Sequence, residues 1–509
     1  PLPVQLRQIA GQGETEGIDP EKLATVLEVL RTLPSLPSDH PDVRTVKREA
    51  SWMYKLLKKQ RRAEIRSVRT QHDRAIIERT ATGSRLRIDD ETAGIALAST
   101  ATGAFAGELV TARGCYICKQ DFTLVDAFYH WLCPTCAAMS HAKRDQSTDL
   151  TGRRALLTGG RAKIGMYIAL RLLRDGAHTT ITTRFPRDAV RRFTALPDSG
   201  DWIHRLKVVG IDLRDPTQVI SLADDVAGAG PLDILINNAC QTVRRTPGAY
   251  APLVEAESAP LPTGTELPEL VTFDRISEAH PAAIAGALSD TAVAHHEGES
   301  PEHALAAHDA ATMTALALKA GHASLEAHVA GTAVDAGGLL PDVQVNNSWT
   351  QTVGEVDPLE LLEVQLCNSI APFLLVSRLR PALAAAAATA PSGRSYVVNV
   401  SAMEGQFSRR YKGAGHPHTN MAKAALNMLT RTSSEEMFST DRILMTAVDT
   451  GWITDERPHH EKLRIAAEGW HAPLDLVDGA ARVYDPIVLG ESGTDLFGCF
   501  VKDYQPSPW

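Results

Sequence analysis

The sequence predicts an α/β fold, a doubly wound parallel sheet, preceded by a helical region and a small metal-binding module. Three observations carry this reading. Strand and helix patterns alternate from Thr151 onward, a glycine-containing turn joins the first strand to its helix, and two Cys-x-x-Cys pairs stand just upstream. At 509 residues the chain exceeds one ordinary core, and its 44% apolar and 22% charged content is that of a globular protein. A net charge of -9 gives no general affinity for nucleic acid or an anionic membrane. No uninterrupted apolar run of bilayer-spanning length is expected, and the first residues lack a secretory-type apolar core, so the expected location is the cytoplasm.

Residues 1–110 read as a helical N-terminal region. A short helix is expected over Pro20–Leu33, fenced by Pro34 and Pro37, and a long one over Val43–Thr80. Between Pro41 and Thr80 there are 12 Lys/Arg and 5 Asp/Glu, a local charge of +7 that opposes the rest of the chain. The plain reading is a solvated helical face; an acidic protein partner or nucleic acid is the alternative. Only Trp52 and Tyr54 are interleaved there, so base stacking has little support.

Residues 111–147 contain Cys115-Tyr-Ile-Cys118 and, after fourteen residues, Cys133-Pro-Thr-Cys136. Each pair forms a tight knuckle offering two thiolates, and a hairpin between them makes one tetrahedral four-thiolate site. Zinc suits this set, and a closed site of that kind is structural; an iron–sulfur centre is the alternative. The other cysteines, Cys240, Cys367 and Cys499, are scattered. The odd total of seven argues against a disulfide framework.

From 148 to 509 the elements follow in order. Arg154–Thr158 is a strand and Ile164–Asp175 a helix. His178–Thr183 is the second strand, with a helix from Arg187. Leu206–Ile211, a helix over Asp215–Ala227, and Leu232–Ile236 complete the first half. Residues 243–343 interrupt the rhythm with an Ala-, Glu-, Pro- and His-rich insertion, expected as a loop followed by helices such as Pro301–His328. Its seven histidines show no tight metal-binding spacing. The sheet then resumes with a helix over Leu359–Leu379, a strand over Ser395–Val400, a helix over Thr419–Glu436, a strand over Ile443–Val448 and a last strand near Phe497–Val501.

The turn Thr158-Gly-Gly-Arg-Ala-Lys-Ile-Gly165 sits where a Rossmann-type fold meets a pyrophosphate with helix N–H groups. Asp212-Leu213 follows the third strand and Asn237-Asn-Ala-Cys240 the fourth. In order and strand context this combination resembles the short-chain dehydrogenase/reductase family, over roughly Thr151–Cys240 and Val343–Val501. The resemblance implies a nicotinamide dinucleotide on Gly159, Arg161, Lys163, Ile164 and Gly165, with Lys163 standing where the family has its middle glycine. It implies that Asp212 and Leu213 hold the adenine, that Asn238 and Ala239 line the ribose, and that Ile453 and Thr454 face the nicotinamide. Arg184 closes the second strand where NAD-preferring members carry an acid. That favours NADP over NAD.

The family's Tyr-x-x-x-Lys pair works with a serine and an asparagine. Asn368 and Lys423 match the asparagine and lysine, but Thr419 stands at the tyrosine, and Ala402, with Ser401 beside it, at the active serine. A threonine hydroxyl has too high a pKa to donate protons readily, so His418 is a candidate substitute, with Tyr411, Lys412 and His416 nearby. Asp449 and Trp452 are expected near the substrate. Three functions stay open: an NADP-dependent oxidoreductase acting at a carbon bearing oxygen or nitrogen, a catalytically silent NADP-binding scaffold or sensor, and a redox-neutral enzyme such as a dehydratase or epimerase. A small-molecule substrate and a homo-oligomer, dimer or tetramer, are what the resemblance implies as partners.

Overall fold

The computed structural model describes residues 17–85, 87, 97–245, 247–273, 277–283, 335, 337–340, 342, 344–409, 412–454 and 456–509. Two helices come first, α1 (Pro20–Thr32) and α2 (Pro41–Glu78). A proline in the first turn of each, with Asp19 and His40 as caps accepting from the amides of Glu21 and Asp42, sets where they start. Neither is held by burial along most of its length: α1 buries no residue and α2 only Ile76. The basic run is therefore exposed along nearly all of α2.

The cysteine module follows: an antiparallel ribbon of β1 (Phe105–Gly114) and β2 (Asp121–Asp126), then α3 (Pro134–Arg144). Beyond it, β3 (Arg154–Leu157), α4 (Lys163–Arg174), β4 (His178–Thr183), α5 (Pro186–Thr194), β5 (Leu206–Gly210), α6 (Pro216–Gly228) and β6 (Ile234–Asn237) make the first half of the sheet. The insertion supplies α7 (Ala251–Ser258) and β7 (Glu269–Thr272). The second half is α8 (Pro358–Thr389), β8 (Ser395–Ser401), α9 (Pro417–Asp441), β9 (Ile443–Asp449), α10 (His459–Ala467), α11 (Leu476–Glu491), β10 (Phe500–Lys502) and β11 (Gln505–Ser507).

The nine strands are ordered β11-β10-β9-β8-β6-β3-β4-β5-β7, parallel except for β11. β8 and β9 are buried at every position, as parallel strands covered on both faces must be. One face is filled by α4, α5 and α11 through Ile168, Leu172, Phe193, Val483 and Ile487. The other is filled by α6 and α8 through Val219, Leu222, Leu375 and Leu379. At roughly 1.5–3 kcal/mol per fully buried large apolar side chain, these two layers are the main stabilising term.

Two features depart from the expectations. The insertion was expected to be loop and helix, yet Glu269–Thr272 pairs in parallel with Lys207–Gly210 and extends the sheet by one edge strand. Four residues of mixed polarity are too few for the period-2 pattern to register. The expected helix Pro301–His328 lies outside the described residues. The helix expected over Leu359–Leu379 runs ten residues further, because the Ala-rich stretch Ala382–Ala388 continues it. Pro358–Thr389 is long and apolar enough on average to cross a membrane, yet Arg378 and Arg380 interrupt it, so it is not an uninterrupted apolar run. Here it is a wall of the core, with Leu375, Val376, Leu379 and Leu383 buried against the sheet.

One ionic node ties β3 to the far helix. The Arg153 guanidinium reaches Asp233 at 2.7 Å, Glu491 at 2.9 Å and Ser392 at 3.0 Å, and is almost fully buried. Arg153→Met strips the partner from two carboxylates at once. It is expected to cost about 3–5 kcal/mol, the penalty for breaking a buried ion pair, read as a lower urea midpoint at unchanged m-value.

Candidate functional site

The C-terminal ends of the parallel strands open into one cleft of about 860 Å³. Its floor is the turn between β3 and α4. Gly159 has φ +71° there, and a Cβ on it would sit 2.9 Å from the Ala239 Cα. A Cβ on Gly165 would lie 2.0 Å from the Gly159 carbonyl oxygen, so no side chain fits. Lys163, at the family's middle glycine, adopts φ +51°. The left-handed backbone that a glycine gives freely is retained with a lysine, at a cost of about 1 kcal/mol. Helix α4 starts without a side-chain cap, so its first amides face the cleft.

At the β4 end, Arg184 lies over the rings of Phe185 (5.8 Å) and Tyr250 (5.6 Å), exposed to the cleft. No carboxylate closes this strand. Asp212 follows β5, but its carboxylate is already engaged: Arg214 binds it through Nε at 2.9 Å and Nη2 at 2.6 Å, and His280 of the insertion lies 3.4 Å away. Burial would raise its pKa; Arg214 and His280 hold it well below the usual carboxylate range. Leu213 lines the cleft beside it. Arg161 also turns toward the insertion and its own helix layer, donating to Gly337 O at 2.7 Å and Asp188 at 2.5 Å; Lys163 lies 3.4 Å from Asp335. The insertion thus borders the glycine turn, which nothing in its composition announced.

The catalytic candidates separate. Thr419 and Lys423, one turn apart on α9, both line the cleft. Lys423 Nζ donates to Val400 O at 2.7 Å, and the buried Thr419 hydroxyl has no hydrogen-bond partner among the described residues. Ser401 donates to Asn427 at 2.5 Å, so its hydroxyl is directed into the protein. Asn368 sits in a π-helical turn, Leu366–Ile370, with its amide paired to both backbone groups of Gln241 (2.8 and 2.9 Å). His418 was expected as a proton-transfer substitute. The helix turns it about 100° away from Thr419, and it is buried with Nε2 3.8 Å from Glu360, off the cleft. Of the neighbouring candidates, His416 stacks on Trp349 at 3.9 Å, Lys412 donates to Met403 O and Glu404 O, and Tyr411 lies outside the described residues.

The loop after β9 forms the opposite wall. Asp449 accepts from Gly451 N at 3.0 Å and Lys502 at 3.2 Å; burial raises its pKa against the pull of Lys502. Trp452, Ile453 and Thr454 line the cleft. So does a residue the motifs did not indicate. Tyr116, between the first two cysteines, accepts a hydrogen bond from the Trp452 amide at 2.9 Å. Spacing alone does not tell where a module docks, so no sequence signal existed for it.

The sulfurs of Cys115, Cys118, Cys133 and Cys136 lie within 4.8 Å of one another, with Cys118 and Cys133 3.7 Å apart. A tetrahedral zinc–thiolate centre with Zn–S near 2.3 Å needs sulfurs about 3.8 Å apart, so the donor set fits zinc. Native mass spectrometry is expected to find about one zinc per chain, lost in Cys133→Ser/Cys136→Ser with a lower thermal midpoint. An iron–sulfur chromophore or a metal-free native protein would contradict the assignment.

The chain is similar to known proteins in part of its length. Residues 153–252 match the short chain dehydrogenase family model. A probable oxidoreductase of Streptomyces antibioticus is 42% identical over 94 residues, 18% of this chain and 30% of that protein. The uncharacterized protein R665 of Acanthamoeba polyphaga mimivirus is 29% identical over 390 residues, 74% of this chain and 71% of that protein. An NADPH-bound carbonyl reductase from chicken fatty liver superposes with a TM-score of 0.42 at 17% identity, covering 72% of this chain and 98% of its own. The match to the named oxidoreductase spans under a third of its length. Over residues 153–252 this chain is similar to the short chain dehydrogenase family.

Proposed function

We propose that this protein is an NADP-dependent oxidoreductase of short-chain type with an altered catalytic set, acting at a carbon bearing oxygen or nitrogen. One observation carries the reading: a single cleft is lined by the glycine turn, Arg184, Asn238, Ala239, Thr419, Lys423 and the loop of Ile453 and Thr454. The cleft lining holds Lys119, Arg161, Lys163, Arg184, Arg214, Arg244, Arg245, Arg409, Lys423, Arg457 and Lys502 against Asp212, Glu363, Glu404, Asp449 and Glu456, an excess of cations that suits a polyanion.

When bound, the dinucleotide supplies or accepts the hydride. The chain does the rest. The uncapped start of α4 and the side-chain-free Gly165 accommodate a pyrophosphate. Arg184 offers a charge-assisted grip on a 2′-phosphate, and the missing strand-end acid removes the usual hold on a ribose diol. Lys423 is placed for the nicotinamide ribose. Thr419 can offer a hydrogen bond to a substrate oxygen, but its hydroxyl is not readily ionised, so proton delivery falls to another group or to water. A homo-oligomer, as the resemblance implies, completes the proposal.

A second reading, an NADP-binding scaffold or sensor without turnover, is favoured by one observation: Ser401 faces Asn427 and Ala402 has no hydroxyl to replace it. Titration of the full chain is expected to show NADPH binding well ahead of NADH. Arg184→Ala is expected to weaken NADPH roughly 10- to 100-fold while leaving NADH nearly unchanged. Gly165→Ala is expected to abolish both, since its Cβ meets a carbonyl at 2.0 Å. With a broad panel of aldehydes, ketones and imines, falling absorbance of the reduced nicotinamide supports the oxidoreductase. Tight binding with no oxidation across the panel supports the scaffold, and product without net cofactor consumption supports redox-neutral chemistry.

A further inference from the structure

We propose that the first Cys-x-x-Cys knuckle is part of the substrate half of the cleft. Tyr116 is a substrate-positioning phenol, and the metal held by the four cysteines orders residues 450–454 through it. The substrate role rests on the oxidoreductase reading; the metal-to-loop link does not.

Two tyrosines line the cleft among the described residues. Tyr250 lies against Arg184, at the end assigned to the 2′-phosphate. Tyr116 lies at the other, with Asp449, Gly451 and Trp452. Its place is set by its neighbours in sequence, because it stands between Cys115 and Cys118, two members of the four-sulfur cluster. Its amide donates to Trp131 O at 2.8 Å, and its ring lies 6.3 Å from that of Trp131. Trp131 in turn stands 5.9 Å from Trp452. The Tyr116 oxygen accepts from the Trp452 amide at 2.9 Å, and a Cβ on Gly451 would come within 3.6 Å of it. Its own proton meets no acceptor among the described residues and is available to a substrate oxygen. Ile453 shares an apolar cluster with Cys115, Cys133 and Cys136, so the metal knuckles and the loop are one packed unit. Thr419 and Ala402 leave the family's hydroxyl positions without a phenol, and this knuckle brings one to the same cleft from outside the Rossmann domain.

The test is amide hydrogen exchange on the full zinc-loaded chain, read in peptides covering 450–456 and 159–165. Tyr116→Phe, with zinc content confirmed, is expected to speed exchange at Trp452 between about twofold and tenfold. Chelation with 1,10-phenanthroline is expected to do the same or more at 450–456, while 159–165 and NADPH affinity hold. Against 4-nitrobenzaldehyde as the probe, Tyr116→Phe is expected to raise KM more than it lowers kcat. Unchanged exchange at Trp452 in Tyr116→Phe, or equal loosening of both segments on chelation, overturns the metal-to-loop link. Altered exchange with unaltered KM overturns the substrate role, as does a wild-type chain that never turns over the probe. NADPH titration of the same samples separately reports whether the cofactor reading stands.

Discussion

The cleft exists because β3 and β6 are clasped at their C-terminal ends. The Thr158 hydroxyl accepts from the amides of Asn238 and Ala239, both at 3.0 Å. The Asn238 side chain returns bonds to the carbonyls of Thr158 and Gly159 at 3.0 and 3.1 Å. This clasp fixes the turn so tightly that Gly165 has room for no Cβ, and Gly160 none either, since one would lie 2.5 Å from Ile181. Helix α4 is then aimed with its uncapped end into the crevice. Lys163, at the start of that helix, holds a left-handed backbone.

Around this fixed turn, the walls come from segments that an ordinary doubly wound domain lacks. The insertion brings Tyr250 to Arg184, His280 to Asp212, and Gly337 to Arg161. The N-terminal module is bound to the start of α11 by Arg144 against Asp475 and Asp478 and by Tyr129 on Asp478. Arg87 adds donations to the carbonyls of Ile453, Ala472 and Leu474. A buried cation bonded to carbonyls on both sides of α10 ties the segment after β9 to the one before α11, where loops at the mouth of such clefts otherwise move to admit ligands. The added segments therefore bear on the cleft from both ends.

The strand and helix order, the glycine turn and the four-cysteine cluster were legible because each is local: apolar runs, spacing and turn residues state them directly. Lys163, Arg184, Thr419 and Lys423 were found because strand context places them. What was not legible depended on distance in the chain. Nothing near Tyr116 says that its knuckle docks beside Trp452, 336 residues away. Ser401 and His418 were chosen as neighbours in sequence of the expected positions. Ser401 does line the cleft but its hydroxyl is bonded to Asn427, and the helix turn of about 100° per residue carries His418 off the cleft. β7 was hidden because an edge strand of four residues, buried at none of them, carries no hydrophobic pattern.

The central claim is that this cleft holds a nicotinamide dinucleotide in a set order along its length. A crystal structure of the full chain grown with NADPH tests it most directly. The account predicts the pyrophosphate on the amides at the start of α4, the 2′-phosphate on Arg184, and the nicotinamide between Lys423 and the loop of Ile453 and Thr454. A cleft left empty at saturating NADPH, or a dinucleotide bound with its 2′-phosphate away from Arg184, would contradict it.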